Sequence, residues 1–179
     1  MTTNPKIEDM LKTIVAHEGG YCNVAGDKGG ATNFGVTLEV LRECRNDPTL
    51  DADDVKNMTL EEANEIYTEK YYHDPKIDMA PSELQPQLLD IAVNSGPGKA
   101  IKILQQVLVD CGKNVSVDGG MGPATAKAAQ ESCDEKGWKV INNKIADARL
   151  AFYNAIVAHD PVQAKFLNGW TTRANSFKV

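Results

Sequence analysis

No run in the 179-residue sequence approaches 18 apolar residues, so no membrane-spanning helix is expected. The chain opens Met1-Thr-Thr-Asn-Pro-Lys, with no charged segment leading into an apolar one and no Met-Gly start. Neither a secretory signal peptide nor a myristoyl anchor is therefore expected. Cysteine is scarce: Cys22, Cys44, Cys111 and Cys133 are widely spread, and no pair forms Cys-x-x-Cys. That is no disulfide scaffold, and free thiols in a chain folded in the cytoplasm are the simpler expectation. The even count leaves disulfides open in an oxidising compartment. Basic residues number 19 against 25 acidic ones, a net charge of −6 that argues against a nucleic-acid backbone as partner. Low-complexity linkers and internal repeats are absent. What is present is average for a globular chain, 42% hydrophobic and 25% charged, with length for one core or two small ones packed together.

The charge is unevenly spread. Residues 1–95 hold 8 basic and 18 acidic residues, net −10, whereas residues 96–179 hold 11 and 7, net +4. Strand signals are few and helical ones many. Ile7, Met10, Leu11, Ile14 and Val15 give an amphipathic helix over 6–17. Residues 19–36 are dense in glycine, which suits irregular backbone or a short hairpin. Thr37 caps a helix over 38–46, and the acidic run 51–54 reads as a solvated loop. Thr59 with Glu62 is a capping box that opens a helix over 60–72. Leu84, Leu88, Leu89, Ile91, Ala92 and Val93 mark a buried helix that Gly96-Pro97-Gly98 breaks. The next has Ile101, Leu104, Val107 and Leu108 on its core face. Helices near 123–133 and 138–158 follow, the second with Ile141, Ile145, Ala148, Phe152 and Ala155 at helical spacing. Asp160-Pro161-x-Gln163 opens a last helix that Gly169 can close.

Several attractive motifs fail. His17-Glu18-Gly-Gly-Tyr21 starts like a zinc motif, but Tyr21 stands where the second histidine belongs. Gly26-Asp-Lys-Gly-Gly30 lacks the Lys-Ser/Thr ending of a phosphate loop. No Gly-x-Ser-x-Gly elbow exists, and Asp118-Gly-Gly-Met-Gly lacks the ligand ladder of a calcium loop.

One carboxylate survives. Glu18 ends the first helix, where the negative end of the helix dipole disfavours its charge and burial would raise its pKa further. Those are the conditions of a general acid at neutral pH. The alternative is an ordinary surface glutamate in a last turn. Asp27 lies nine residues on, and two carboxylates so held can flank a glycosidic bond, one protonating the leaving oxygen and the other activating water or stabilising positive charge. The alternative for Asp27 is a turn residue beside glycine. Thr32 could help hold a water, or simply bond its own backbone.

His-Glu-Gly-Gly-Tyr (17–21) followed by Gly-Asp-Lys-Gly-Gly-Ala-Thr-Asn-Phe-Gly-Val-Thr (26–37) resembles the opening signature of glycoside hydrolase family 108. These are lysozyme-like N-acetylmuramidases of phage and of bacterial lysis or secretion loci. The resemblance continues through Ile66-Tyr67-x3-Tyr71-Tyr72, Asp90-x-Ala-Val-Asn-Ser-Gly-Pro-Gly (90–98) and Leu104-Gln105. Val117-Asp-Gly-Gly-Met-Gly-Pro-x-Thr125 is similar to a predicted peptidoglycan-binding segment, and Phe152-Tyr153 and Phe166-x2-Gly-Trp170-x2-Arg173 complete the match.

The resemblance implies a mainly α, lysozyme-like fold with a short glycine-rich hairpin or loop next to a catalytic Glu18. It implies a catalytic region over 1–95 and a helical peptidoglycan-binding-like region over 96–179, packed as one body. Related phage lysozymes space Glu, Asp and Thr by eight and then five residues; here the second interval, Asp27 to Thr32, holds four. Tyr71 and Tyr72 fall in matching blocks and either stack on a sugar or pack in the core. Asn94 either bonds an N-acetyl group or caps its helix. Asp118 is placed in the wall-binding segment, and Trp138 and Trp170 are expected as packing anchors.

The implied reaction is hydrolysis of the β-1,4 bond between N-acetylmuramic acid and N-acetylglucosamine, in host-cell lysis by a phage endolysin or in wall remodelling. The alternatives are a lytic transglycosylase, which needs no second carboxylate, and a non-catalytic wall-binding secretion accessory. No cofactor and no metal is implied. The expected partner is bacterial peptidoglycan, met by a monomer without nucleic acid or membrane insertion. Synthesis in the cytoplasm without a signal peptide would make export to the periplasm or wall depend on a holin or a secretion system. The basic half could meet the carboxylates of peptidoglycan stems.

Overall fold

The computed structural model describes residues 5–17, 20–23 and 30–179. Among these, helices dominate and the only named sheet is a two-stranded hairpin, which is the mainly α class that the patterning predicts. The chain forms two compact units, Met1–Lys70 and Tyr71–Val179.

In the first unit, α1 (Pro5–His17) buries Ile7, Leu11, Ile14 and Val15, the stripe set by the 3.6-residue period. It packs on α4 (Leu60–Thr68), which buries Ala63, Ile66 and Tyr67. Between them come β1 (Thr32–Asn33), β2 (Val36–Thr37), α2 (Leu38–Arg45) and α3 (Ala52–Lys56). Thr37 caps α2 as expected, its hydroxyl accepting from the Val40 N–H at 3.2 Å.

Three expectations need correction here. The acidic run 51–54 is no loop but the start of α3. Asp51 accepts from the Asp53 N–H and Asp54 accepts from the Asp51 N–H, each at 2.8 Å, so the acids satisfy the orphan donors of a helix N-terminus. At α4 only half of the capping box forms. Thr59 accepts from the Glu62 N–H, but the Glu62 carboxylate is taken by Arg45 in a paired contact at 2.8 and 2.9 Å. The α-helix also stops at Thr68, where a π-helical turn (Glu69–His73) replaces the expected continuation to 72.

The second unit holds α5 (Gln85–Ser95), α6 (Pro97–Asp110), α7 (Pro123–Lys136), α8 (Trp138–His159) and α9 (Ala164–Asn175). Helices α5 and α6 pack on each other and α6 on α8, closing over Leu88, Ile91, Leu104, Leu108, Ile141 and Ile145. Gly96, at φ 88°, turns the chain between α5 and α6, and Pro97 opens α6 with the φ a helix start requires. The division drawn in the sequence after residue 95 falls at this joint, inside the second unit.

The core face of α8 is rotated from the apolar spacing. Ala155 is exposed and Phe152 half-buried, while the helix buries Asn142, Ala146, Arg149 and Tyr153 beside Ile141 and Ile145. Arg149 sits on the core face because Asp90 meets it there. Its Nη2 donates to Asp90 at 2.5 Å and its Nε to the Tyr153 hydroxyl at 2.6 Å. Arg173 of α9 closes on the same carboxylate at 2.8 Å. Gly169 does not end the last helix, which runs on to Asn175. A helical glycine costs only about 1 kcal/mol, and Trp170 and Ala174 beyond it have packing to make. No disulfide joins the four cysteines, and burial, followed by the charges of Glu83 and Asp134, pushes the Cys133 thiol up to about 11.

Candidate active site

Glu18 and Asp27 lie outside the described residues; α1 closes at His17 just before the first, and the hairpin opens at Thr32 after the second. The hairpin is built by its two-residue turn. Phe34 and Gly35 both have positive φ, 50° and 77°, the mirror-image turn that matches strand twist. Thr32 pairs with Thr37 on one side. On the other it exchanges both backbone hydrogen bonds with Cys22 at 2.8 Å. Thr32 is thus fixed along both edges of its backbone, with a half-buried side chain. The buried Asn33 pins the hairpin to α3, its Nδ2 donating to the carbonyls of Val55 at 3.1 Å and Lys56 at 3.3 Å. Tyr21 is exposed beside Cys22, with the Lys56 ammonium 5.9 Å from its ring centre.

The other candidate residues lie in the second unit. Tyr72 is a core residue: its hydroxyl donates to Gln85 Oε1 at 2.8 Å, and burial, then Asp78, raises its pKa. Its neighbour Tyr71 is half-buried. Asn94, exposed in the last turn of α5, gives its Nδ2 to the Asp90 carbonyl at 2.6 Å. It lines a cavity of about 190 Å³ together with Ser95, Phe152, Tyr153, Ile156 and Trp170. Asp118 is also exposed but internally bonded. Its Oδ1 accepts from the Gly120 N–H and from Gln105 Nε2, both at 2.8 Å, and these bonds hold its carboxyl below the usual range.

Residues brought together here that the sequence reading did not join are Asp90, Arg149 and Arg173. A charged residue four positions from Ile145 and four from Tyr153 was the available signal, since that places Arg149 on the buried side of α8. Trp170, expected as an anchor, does stack on Phe166 with centroids 5.8 Å apart, and it also borders the cavity. Among the described residues, no group of three or more His, Cys, Asp or Glu side chains is placed to hold a metal, and no helix is long and apolar enough to cross a membrane.

The described residues thus form helical units that carry a tight hairpin at 32–37 and a glycine-rich turn at Asp118. Residues 11–96 match the glycosyl hydrolase 108 model, and residues 99–175 match the predicted peptidoglycan domain. The chain thus joins a glycosyl hydrolase 108 segment to a predicted peptidoglycan domain, which makes it a glycoside hydrolase acting on peptidoglycan. It is similar to the solved structure of SagA from Brucella abortus at 29% identity and a TM-score of 0.70, over 96% of this chain and 95% of that one. No curated protein matches it.

Proposed function

We propose that the protein is an endo-acting muramidase that hydrolyses the β-1,4 bond between N-acetylmuramic acid and N-acetylglucosamine, with Glu18 as general acid. One observation carries this reading: Glu18 follows the last residue of α1, inside the segment that matches the hydrolase family. Glu18 protonates the leaving glycosidic oxygen, and Asp27 activates water or steadies the positive charge that develops on the sugar. Thr32, on a strand edge fixed from both sides, orients that water. Tyr71, the half-buried member of the tyrosine pair, supplies a stacking face, and Asn94 meets an N-acetyl group. Asp118 acts on the substrate through the shape of its turn. The protein works on the cell wall, in lysis or in remodelling, and reaches it with the help of a pore or a secretion system.

The test is mass spectrometry of digested sacculi, with wild type beside Glu18→Gln. Wild type should release fragments carrying one added water and a new reducing end. Glu18→Gln should lose roughly 10²–10⁴ in turnover, the usual contribution of a general acid. Near-normal turnover of that variant overturns the assignment, and anhydro products would make the enzyme a lytic transglycosylase.

A further inference from the structure

We propose that the cavity at the end of α5 binds one N-acetylated sugar ring of the glycan strand, an inference that rests on the glycan-cleaving reading above. Its size sets the first limit. At about 190 Å³ it is smaller than the roughly 300–1,000 Å³ of sites for drug-sized ligands, so it fits a single ring and not a chain.

Its walls set the second. Phe152, Tyr153 and Trp170 form a continuous aromatic surface, with Phe152–Tyr153 centroids 5.7 Å apart and Tyr153–Trp170 centroids 5.1 Å apart. Such faces suit the apolar C–H face of a pyranose, while the few polar groups at the rim fix its orientation. Those polar groups are unspent. Asn94 gives its Nδ2 to Asp90, so its Oδ1 is the atom left to accept a bond. Neither the Ser95 hydroxyl nor the Trp170 indole N–H has a partner among the described residues. One acceptor and two donors beside an aromatic face match an acetamido group, whose N–H donates to Asn94 Oδ1 and whose carbonyl accepts from Trp170 or Ser95.

The arrangement is held from beneath. The Asp90 carboxylate receives Arg149 and Arg173, the Asp90 main-chain carbonyl receives the Asn94 amide, and Arg149 in turn donates to the Tyr153 hydroxyl. The charge cluster thus holds Tyr153, and a main-chain carbonyl of α5 holds Asn94, before any ligand arrives, which lowers the ordering cost of binding. Lys99 extends the site: its ammonium lies 4.4 Å from the Phe152 ring centre, placed to meet the carboxylate of a muramic acid. The lining also joins the two matched segments, since Asn94 and Ser95 fall in the hydrolase match and the aromatic residues in the peptidoglycan match.

The experiment titrates the full-length Glu18→Gln protein with the N-acetylglucosaminyl–N-acetylmuramic acid disaccharide and, separately, with chitobiose, following indole N–H resonances. Trp170→Phe assigns the Trp170 signal against Trp138. The Trp170 resonance should shift with both sugars, and Asn94→Leu or Phe152→Ala should weaken both at least tenfold with unchanged circular dichroism. Lys99→Met should weaken only the muramic disaccharide, by about threefold. A silent Trp170 resonance, or unchanged affinity in Asn94→Leu, overturns the site. The two readings fail separately. Turnover retained in Glu18→Gln removes the catalytic assignment and leaves a shifting Trp170 untouched, whereas lost turnover with a silent Trp170 removes only the cavity.

Discussion

At the Asp118 turn, the Gln105 amide lies 1% exposed and reaches Asp118 Oδ1, the Gly120 carbonyl and Thr125 Oγ1, while its oxygen accepts from the Gly119 N–H at 2.8 Å. Gly119 has φ 85°, and a Cβ there would stand 3.0 Å from the Gly98 carbonyl oxygen. Every strong bond of that motif serves the turn itself. At the end of α5 a buried centre is again surrounded by a motif, but the main-chain carbonyl of Asp90 takes up only the donor side of the exposed Asn94 and leaves its acceptor unspent. Both motifs present an exposed polar residue to solvent. Exposure therefore does not separate a ligand contact from a structural one; the account of which lone pairs and protons are already spent does.

That contrast makes the buried centres the places to break. Asp90→Ala should have the largest effect on stability. Arg149 is fully buried and would lose its carboxylate, and an uncompensated buried charge costs about 3–5 kcal/mol. Urea unfolding measures it, and a loss below about 1 kcal/mol would mean that Arg149 does not depend on Asp90. Gln105→Leu keeps volume at the other centre but removes its bonds, for an expected loss of about 1–3 kcal/mol. If Gln105→Leu proved the costlier of the two, the turn and not the ion cluster would organise this unit.

The same contrast explains what the sequence made legible. Apolar faces were readable wherever the core is apolar: Leu88 and Leu89 of α5, and Leu104 and Leu108 of α6, lie buried where helical spacing puts them. Arg149 was passed over because an apolar period skips a charged residue, and its partner Asp90 lies 59 positions away. Asn33 was hidden likewise, since it bonds main-chain carbonyls 22 and 23 residues on. The α3 start misled in the other direction, because a run of aspartates looks solvated until its capping geometry is seen. The hairpin was readable as glycine density and helix-end punctuation. Glu18 and Asp27, outside the described residues, rest on motif and family.

The smallest effect belongs to Asp118 itself, and it tests whether the carboxylate charge or only the oxygen geometry matters. Bonds from the Gly120 N–H and then Gln105 hold its carboxyl below the ordinary value of 3.8, so the folded state favours the ionised form more than the unfolded chain does. Its contribution is then fully present above that ordinary value and is lost as pH falls through the lower folded one. Asparagine keeps an acceptor oxygen but cannot ionise. Asp118→Asn should therefore be slightly less stable than wild type at neutral pH, and the gap should close as pH drops below about 4. Because Asp118 is exposed, solvent screens the charge and the shift stays small. Urea midpoints of the two proteins across that range provide the measurement. A gap that is the same at every pH would mean that the turn needs the oxygen and not the charge.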